Sequence, residues 1–335
     1  MMSKVGIIAN PASGKDIRRL VAYASLMNNR DKTDLVRRII LGIQSTGVDE
    51  IVIMPDYYGL GSMAASGLGK DGTGSRVSIL DMKVSGTQED STRAMALMKE
   101  LGVGCVVTVG GDGTNRAVVK GDRSVPMVPL STGTNNVFPV MVEATTAGIA
   151  AGVVARGIVD MDKLVSVNKR LIITRNGREC DMALVDVVVL EQAFVGARAV
   201  WKLDEVRQVI CTRAEPESIG LSAIGGSVCP VGPDDDCGLY LELGEGNIRC
   251  RAAVLPGVIK EVGIREYRKL KFGEEVSLTV KPCLLALDGE RELVVGGDDE
   301  AGVRVERDGP LVVDINGVVR EAAAQGFFTV QVGAA

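Results

Sequence analysis

The stretch Val106–Val119, VVTVGGDGTNRAVV, decides how the chain is read. A β-branched run suited to a buried strand stops at Gly110 and Gly111, passes Asp112, Gly113 and Thr114, and then becomes helix-compatible. Glycines let the backbone turn and bring its amides close to a ligand. A helix that starts there points its unpaired N–H groups and positive dipole end at the same spot. Such a nest suits phosphate. A carboxylate beside phosphate is repulsive, so Asp112 implies a cation between them, most simply Mg2+, or a proton to be removed from a nearby hydroxyl. Both point to phosphoryl transfer. The plain alternative is a tight β–α turn whose aspartate caps the next helix.

Two further loops share this design. PLSTGTNNVF follows the strand-like run 125–130, and offers the hydroxyls and amides of Ser131, Thr132, Thr134, Asn135 and Asn136 to phosphate and ribose. NPASGK comes off the first strand-like run with Asn10, Ser13 and Lys15. In an open α/β sheet all three loops fall at carboxyl strand ends, where such folds bind ligands. Gly14-Lys15 and Gly69-Lys70 are each followed by Asp, which excludes a Walker A loop, and no dinucleotide fingerprint is present. A fourth stretch, LALDGERELVV, carries Asp288 and Glu290 around Gly289. Alone it reads as a two-residue Asp-Gly hairpin. It gains chemistry only if it faces the first domain across a cleft.

The first half alternates strand-like runs (4–10, 50–55, 77–80, 103–109, 125–130) with helical spacing (15–26, 32–47, 87–102, 141–157), which predicts a parallel sheet covered on both faces. Within it Thr87 is read as an N-cap with Asp90 completing a capping box, and 60–75 as a mobile glycine-rich loop. From about residue 160 short strands broken by turn residues predict an antiparallel sandwich, interrupted by a helix over 199–210. The expectation is a Rossmann-like α/β domain over 1–158, a β-sandwich over 159–314, and a helical end, 315–335, that packs back on the first domain.

With 335 residues, a net charge of −5 and basic residues spread along the chain, no nucleic-acid or anionic-membrane surface is indicated. Aromatics make up only 3%, too few for base-stacking platforms. Seven cysteines without a CxxC pair read as free thiols of a cytoplasmic protein. No run of eighteen apolar residues predicts a membrane span. There is no histidine, which excludes histidine-dependent nucleophilic catalysis, metal sites and general bases. The chemistry must come from carboxylates, lysines, hydroxyls, backbone amides and a borrowed metal.

GGDGT after a strand, NPASGK near the N-terminus, STGTNN after the next strand and a late DGE, in this order, resemble the NAD kinase/diacylglycerol kinase superfamily. Within it the chain is most similar to the ATP-NAD kinase-like AcoX family, named for acetoin catabolism. The resemblance implies a Rossmann-like domain and a C-terminal β-sandwich with the active site between them. It further implies ATP and Mg2+ as cofactors and NAD as acceptor. By motif, Gly110, Gly111, Gly113 and Thr114 hold the nucleotide phosphates, with Asn10, Ser13 and the loop 131–136 contributing. Asp112 is the catalytic or metal-organising carboxylate; Asp288 and Glu290 match the lipid-kinase side of the superfamily, so Asp112 or Asp288 could touch the metal. NAD kinases carry an Asn-Glu or Asn-Asp pair in a central strand; here ALVDVVV keeps Asp186, an expected acceptor-binding residue, but has Val185 in place of the amide. The expected function is ATP-dependent phosphorylation of a hydroxyl of NAD or a related small molecule. The alternatives are a kinase of a lipid or small polyol, polyphosphate as donor, and a non-catalytic nucleotide-binding regulator linked to acetoin catabolism. The expected partners are small-molecule substrates and further copies of the chain, as a dimer or tetramer.

Overall fold

The computed structural model describes residues 2–13, 27–66, 68, 74–133, 135–191 and 203–330. The first half builds a parallel sheet from β1 (Lys4–Ala9), β2 (Glu50–Ile53), β3 (Arg76–Ile79), β4 (Cys105–Gly110) and β5 (Met127–Ser131). Two later strands, β6 (Val165–Val167) and β17 (Leu311–Val313), complete it in the order β3-β2-β1-β4-β5-β17-β6. The chain builds outward from β1 to β3, then returns to lay β4 on the other side of β1. That reversal opens a crevice at the carboxyl ends of β1 and β4, the place where open α/β sheets bind ligands.

Both faces of this sheet are covered, which explains why its strands lack polar alternation. Helices α1 (Asn29–Ser45), α5 (Ala144–Ala155) and α8 (Ile315–Ala324) lie on one face, where Ile39, Ile43, Ala147, Ala151, Val318 and Ala322 pack with Val107 and Val109. On the other face α3 (Glu89–Glu100) and α4 (Asp112–Gly121) bring Met95, Met98 and Val118 against Ile8 and Val106.

The remaining strands are β7 (Arg170–Arg175), β8 (Arg178–Ala183), β9 (Asp186–Leu190), β10 (Val206–Cys211), β11 (Gly238–Leu255), β12 (Val258–Leu270), β13 (Glu275–Ser277), β14 (Cys283–Leu287), β15 (Glu290–Val295) and β16 (Ala301–Glu306). They form two antiparallel sheets, ordered β12-β11-β10-β9-β14-β15 and β13-β16-β7-β8. Val187 and Val189 of β9 join the core with Ile173 and Val303 of the smaller sheet. Val188 and Leu190 point the other way, towards Ala223 and Ile224 of the short α7 (Leu221–Gly226). The central strand of the larger sheet is thus buried on both faces.

Several local expectations are corrected. Residues 206–210, expected within a helix, are strand β10, because pairing to β9 on one side and β11 on the other outweighs an ambiguous apolar spacing; 199–202 lie outside the described residues. The stretch expected to be loop from residue 60 begins as helix α2 (Leu60–Ser66), with the Asp56 carboxylate accepting from the Leu60 amide at 3.0 Å. Helix α3 has no capping box: Gln88 is its N-cap, and Asp90 reaches back to the amides of Ser85 and Gly86 at 2.8 and 2.7 Å. The two strands expected around 238–255 are one bulged strand. β8, β12 and α7 carry too many charged or small residues to stand out by periodicity. β6 and β17 fall in the range expected to be sandwich but pair in the first sheet. The expected helix 15–26 lies outside the described residues.

Candidate active site

The three polar loops converge. β1, β4 and β5 are neighbours in the sheet, so the turns after Ala9, Gly110 and Ser131 share one edge. Asn10 donates from its side-chain amide to Thr114 Oγ1 at 2.9 Å, and Ser13 Oγ donates to the Asn10 carbonyl at 2.8 Å. Lys32, fully buried in α1, ties this loop down by donating to the carbonyls of Asn10 and Pro11 at 3.1 and 2.8 Å. Asn136 donates to Ser131 Oγ at 2.7 Å, and a β-carbon on Gly111 would stand 2.7 Å from its Oδ1. Gly111 therefore allows the second loop to approach the first. Thr108, at the end of β4, donates to Asn115 Oδ1 at 2.6 Å and holds the first turn of α4 beneath them. Thr132 Oγ1 is buried and has no hydrogen-bond partner among the described residues; Thr134 lies outside them, as does Lys15.

Asp112 does not cap its own helix, which has Gly111 as its N-cap. Its carboxylate accepts from the Val137 amide at 3.1 Å and the Phe138 amide at 2.8 Å. Burial is the main force on its acidity, reinforced by the nearby charge of Asp288, and together they push the Asp112 pKa up to about 7 against the pull of those two amides.

The Asp-Gly hairpin reading of Asp288 holds, and the hairpin does face the first domain. Asp288 and Gly289 adopt φ of 50° and 81° between β14 and β15. The Asp288 carboxylate is turned inward, accepting from the amides of Leu184 at 3.0 Å and Val185 at 2.8 Å. Arg116 Nε stands 3.5 Å from it. Burial raises the Asp288 pKa, with Arg116 the largest opposing influence. Glu290 accepts from Gln88 Nε2 at 2.6 Å and lies against Gly113, so it flanks the turn before α4. The buried Arg116 guanidinium also pairs with Glu292 and lies 3.7 Å from Asp181.

Between these parts opens a cleft lined by Asp112, Asp186, Asp288, Asn135 and Lys260, with Leu203, Ile219, Leu221, Val254 and Leu255 as an apolar wall. An apolar wall with a few convergent polar groups suits a small-molecule site. Val185, where an NAD kinase has its amide, is buried in the core with Val118 and Phe138. Lys32, Gln88, Arg116, Lys260 and the apolar wall escape sequence reasoning. Only Arg116 left a trace there, four residues after Asp112 on the same helix face.

The orphaned Thr132 hydroxyl, the glycine turn and the start of α4 suit the phosphates of a nucleotide. A protein-held metal fits less well. Among the described residues no three acidic or cysteine side chains converge to hold one, and both aspartates already accept from backbone amides.

Residues 5–158 match the ATP-NAD kinase N-terminal domain, and residues 169–308 match the acetoin catabolism protein X C-terminal domain. Acetoin catabolism protein X of Cupriavidus necator is 40% identical over 329 residues, 95% of this chain and 92% of that protein. The chain belongs to the acetoin catabolism protein X family. Its likeness to solved structures is more distant. A diacylglycerol kinase from Bacillus anthracis str. Sterne aligns with a TM-score of 0.41 at 12% identity, over 93% of this chain and 96% of its own. Two further structures from that organism reach 0.45 and 0.43 at 12% and 13% identity, over 93% of this chain and 97% and 98% of theirs. Among the described residues of this family member, no helix is long and apolar enough to cross a membrane.

Proposed function

We propose that the chain is a phosphotransferase that moves the terminal phosphoryl group of ATP to a hydroxyl of a small molecule, with the adenosine ribose of NAD as the first acceptor to test. The observation that carries this reading is Asp112: a carboxylate held by two backbone amides on the wall of the cleft, with its pKa raised to about 7. A base of that strength can take a hydroxyl proton near neutral pH. The acceptor O–H bond breaks as its oxygen attacks phosphorus, the proton goes to Asp112, and the bond from phosphorus to the nucleoside diphosphate is lost. The chain's other residues position: Gly110–Thr114, Asn10, Ser13 and the loop 131–136 the donor, and Asp186 and the apolar wall the acceptor. Mg2+ would come with the donor and supply neutralisation of phosphate charge there. Because β6 and β17 pair in the first sheet, the nucleotide-binding part is drawn as 1–167 with 310–330, and the acceptor-binding part as 168–309.

The apolar wall favours a second reading on one point, an acceptor with a hydrocarbon face such as a lipid or substituted polyol. Transfer from labelled ATP should be measured against NAD, a short-chain diacylglycerol and simple diols, with Asp112→Asn beside the wild type. The reading predicts transfer to one of these and its loss in Asp112→Asn. Nucleotide binding without transfer to any acceptor would instead make the protein a regulator.

A further inference from the structure

Arg213 follows directly on β10 and is only 8% exposed. Its Nη2 donates to Asn168 Oδ1 at 2.8 Å, and its Nε is buried without a partner among the described residues. Its guanidinium carbon lies 5.6 Å from the centre of the Phe138 ring, and the Phe138 amide is the one that donates to Asp112 at 2.8 Å. Asp112, Glu215 and Asp234 act on it through space, yet none forms an ion pair with it among the described residues. Lys169, two per cent exposed, adds a second cation to this corner and is held by the carbonyls of Gly232 and Cys237 at 2.7 and 2.8 Å. Buried cations are strongly disfavoured unless a counter-charge accompanies them, and burial lowers the Arg213 pKa accordingly. Arg116, the other deeply buried arginine near the site, has its carboxylates beside it. Arg213 does not.

We infer that Arg213 is an anion-contacting residue of the transfer site, and that the direct ionic partner its guanidinium lacks is a phosphoryl group. The inference rests on the phosphotransfer reading above and adds a named contact to it. The guanidinium fork suits phosphate oxygens, and a fixed cation whose field reaches Asp112 becomes more effective as that carboxylate is neutralised by the acceptor's proton. The competing account makes Arg213 a latch only, stacked on Phe138 and bonded to Asn168.

The test is isothermal titration of the full chain with inorganic tripolyphosphate at pH 8 and low salt. Arg213→Gln, Arg213→Lys and the exposed control Arg76→Gln are run beside the wild type, with melting temperatures recorded. Loss of a charged fork should weaken binding by roughly tenfold or more in Arg213→Gln and by less in Arg213→Lys, while Arg76→Gln stays within about twofold. Arg213→Gln should melt no lower than the wild type without the anion, since it removes a buried charge that has no direct ion pair. Equal affinity in the wild type and Arg213→Gln overturns the inference and leaves the phosphotransfer reading standing. A lowered melting temperature with unchanged affinity does the same and establishes the latch. Failure of the wild type to bind tripolyphosphate overturns the donor site and the inference together. If Arg213→Gln does not fold, Arg213→Lys decides alone, and affinity equal to wild type overturns the assignment.

Discussion

Asp112 is held by backbone amides that recognise its charged form, in surroundings whose burial and whose neighbour Asp288 favour the neutral form. Burial and Asp288 win, and two consequences follow at this single residue. Transfer needs the ionised carboxylate, so kcat/KM should fall below about pH 7, and a pH profile flat from 5 to 9 would contradict the assignment of Asp112 as base. The folded protein also binds this proton more tightly than the unfolded chain, whose aspartate has the ordinary value of 3.8. The stabilisation is therefore complete below that value and is lost as pH rises towards about 7. Asp112→Asn removes the dependence, so it should be more stable than the wild type at pH 8, by on the order of 1–4 kcal/mol, and show no such advantage at pH 4. Urea unfolding at the two pH values checks this. The position of Asp112, in a glycine turn between a buried strand and a helix, was legible because a β-branched run that stops at glycines marks a strand end. The source of its acidity was not, since Val137, Phe138 and Asp288 lie far from it along the chain.

At the scale of elements, α1 and α5 meet backbone to backbone. A β-carbon on Gly148 would run into the carbonyl of Ile39, and one on Gly42 into the carbonyl of Thr145. Gly148→Ala gains helix propensity of up to about 1 kcal/mol, but backbone atoms cannot step aside as a flexible side chain can. The expected net result is a loss of about 1–3 kcal/mol, seen as a lower urea midpoint; an unchanged midpoint would mean that the helices can separate freely. The small-residue run of α5 was readable as helix, whereas its purpose, contact with α1, was not. β1, β4 and β5 were readable because burial on both faces leaves continuous apolar runs. β10 and β12 were obscured by charged residues and ambiguous spacing, and only pairing to their neighbours decides them. The order of the polar loops, and hence the edge that carries the site, followed from the strands that were readable.

Across the whole molecule, the chain leaves the first sheet at Asn168 and returns at Gly309, where the two crossings pair: the Gly309 amide donates to the Asn168 carbonyl at 2.9 Å. Another link between the halves, beside the Gln88–Glu290 and Lys120–Asp181 contacts, is Arg116, on the helix that begins with Asp112, reaching Asp181, Asp288 and Glu292 of β8, the hairpin turn and β15. No reading of local sequence could join residues so far apart, although each was visible as a charge. A buried arginine removed from its carboxylates leaves uncompensated negative charge, which typically costs about 3–5 kcal/mol. Arg116→Met should therefore lower the urea midpoint by an amount of that order and reduce transfer as well, because the hairpin that carries Asp288 loses its hold on α4. Replacing a partner should relieve part of the damage. The double variant Arg116→Met/Asp288→Asn should be more stable than Arg116→Met alone, since one stranded charge is gone. If the two losses simply add, Arg116 and Asp288 act independently, and the hold of Arg116 on the second half runs through Glu292 and Asp181 instead.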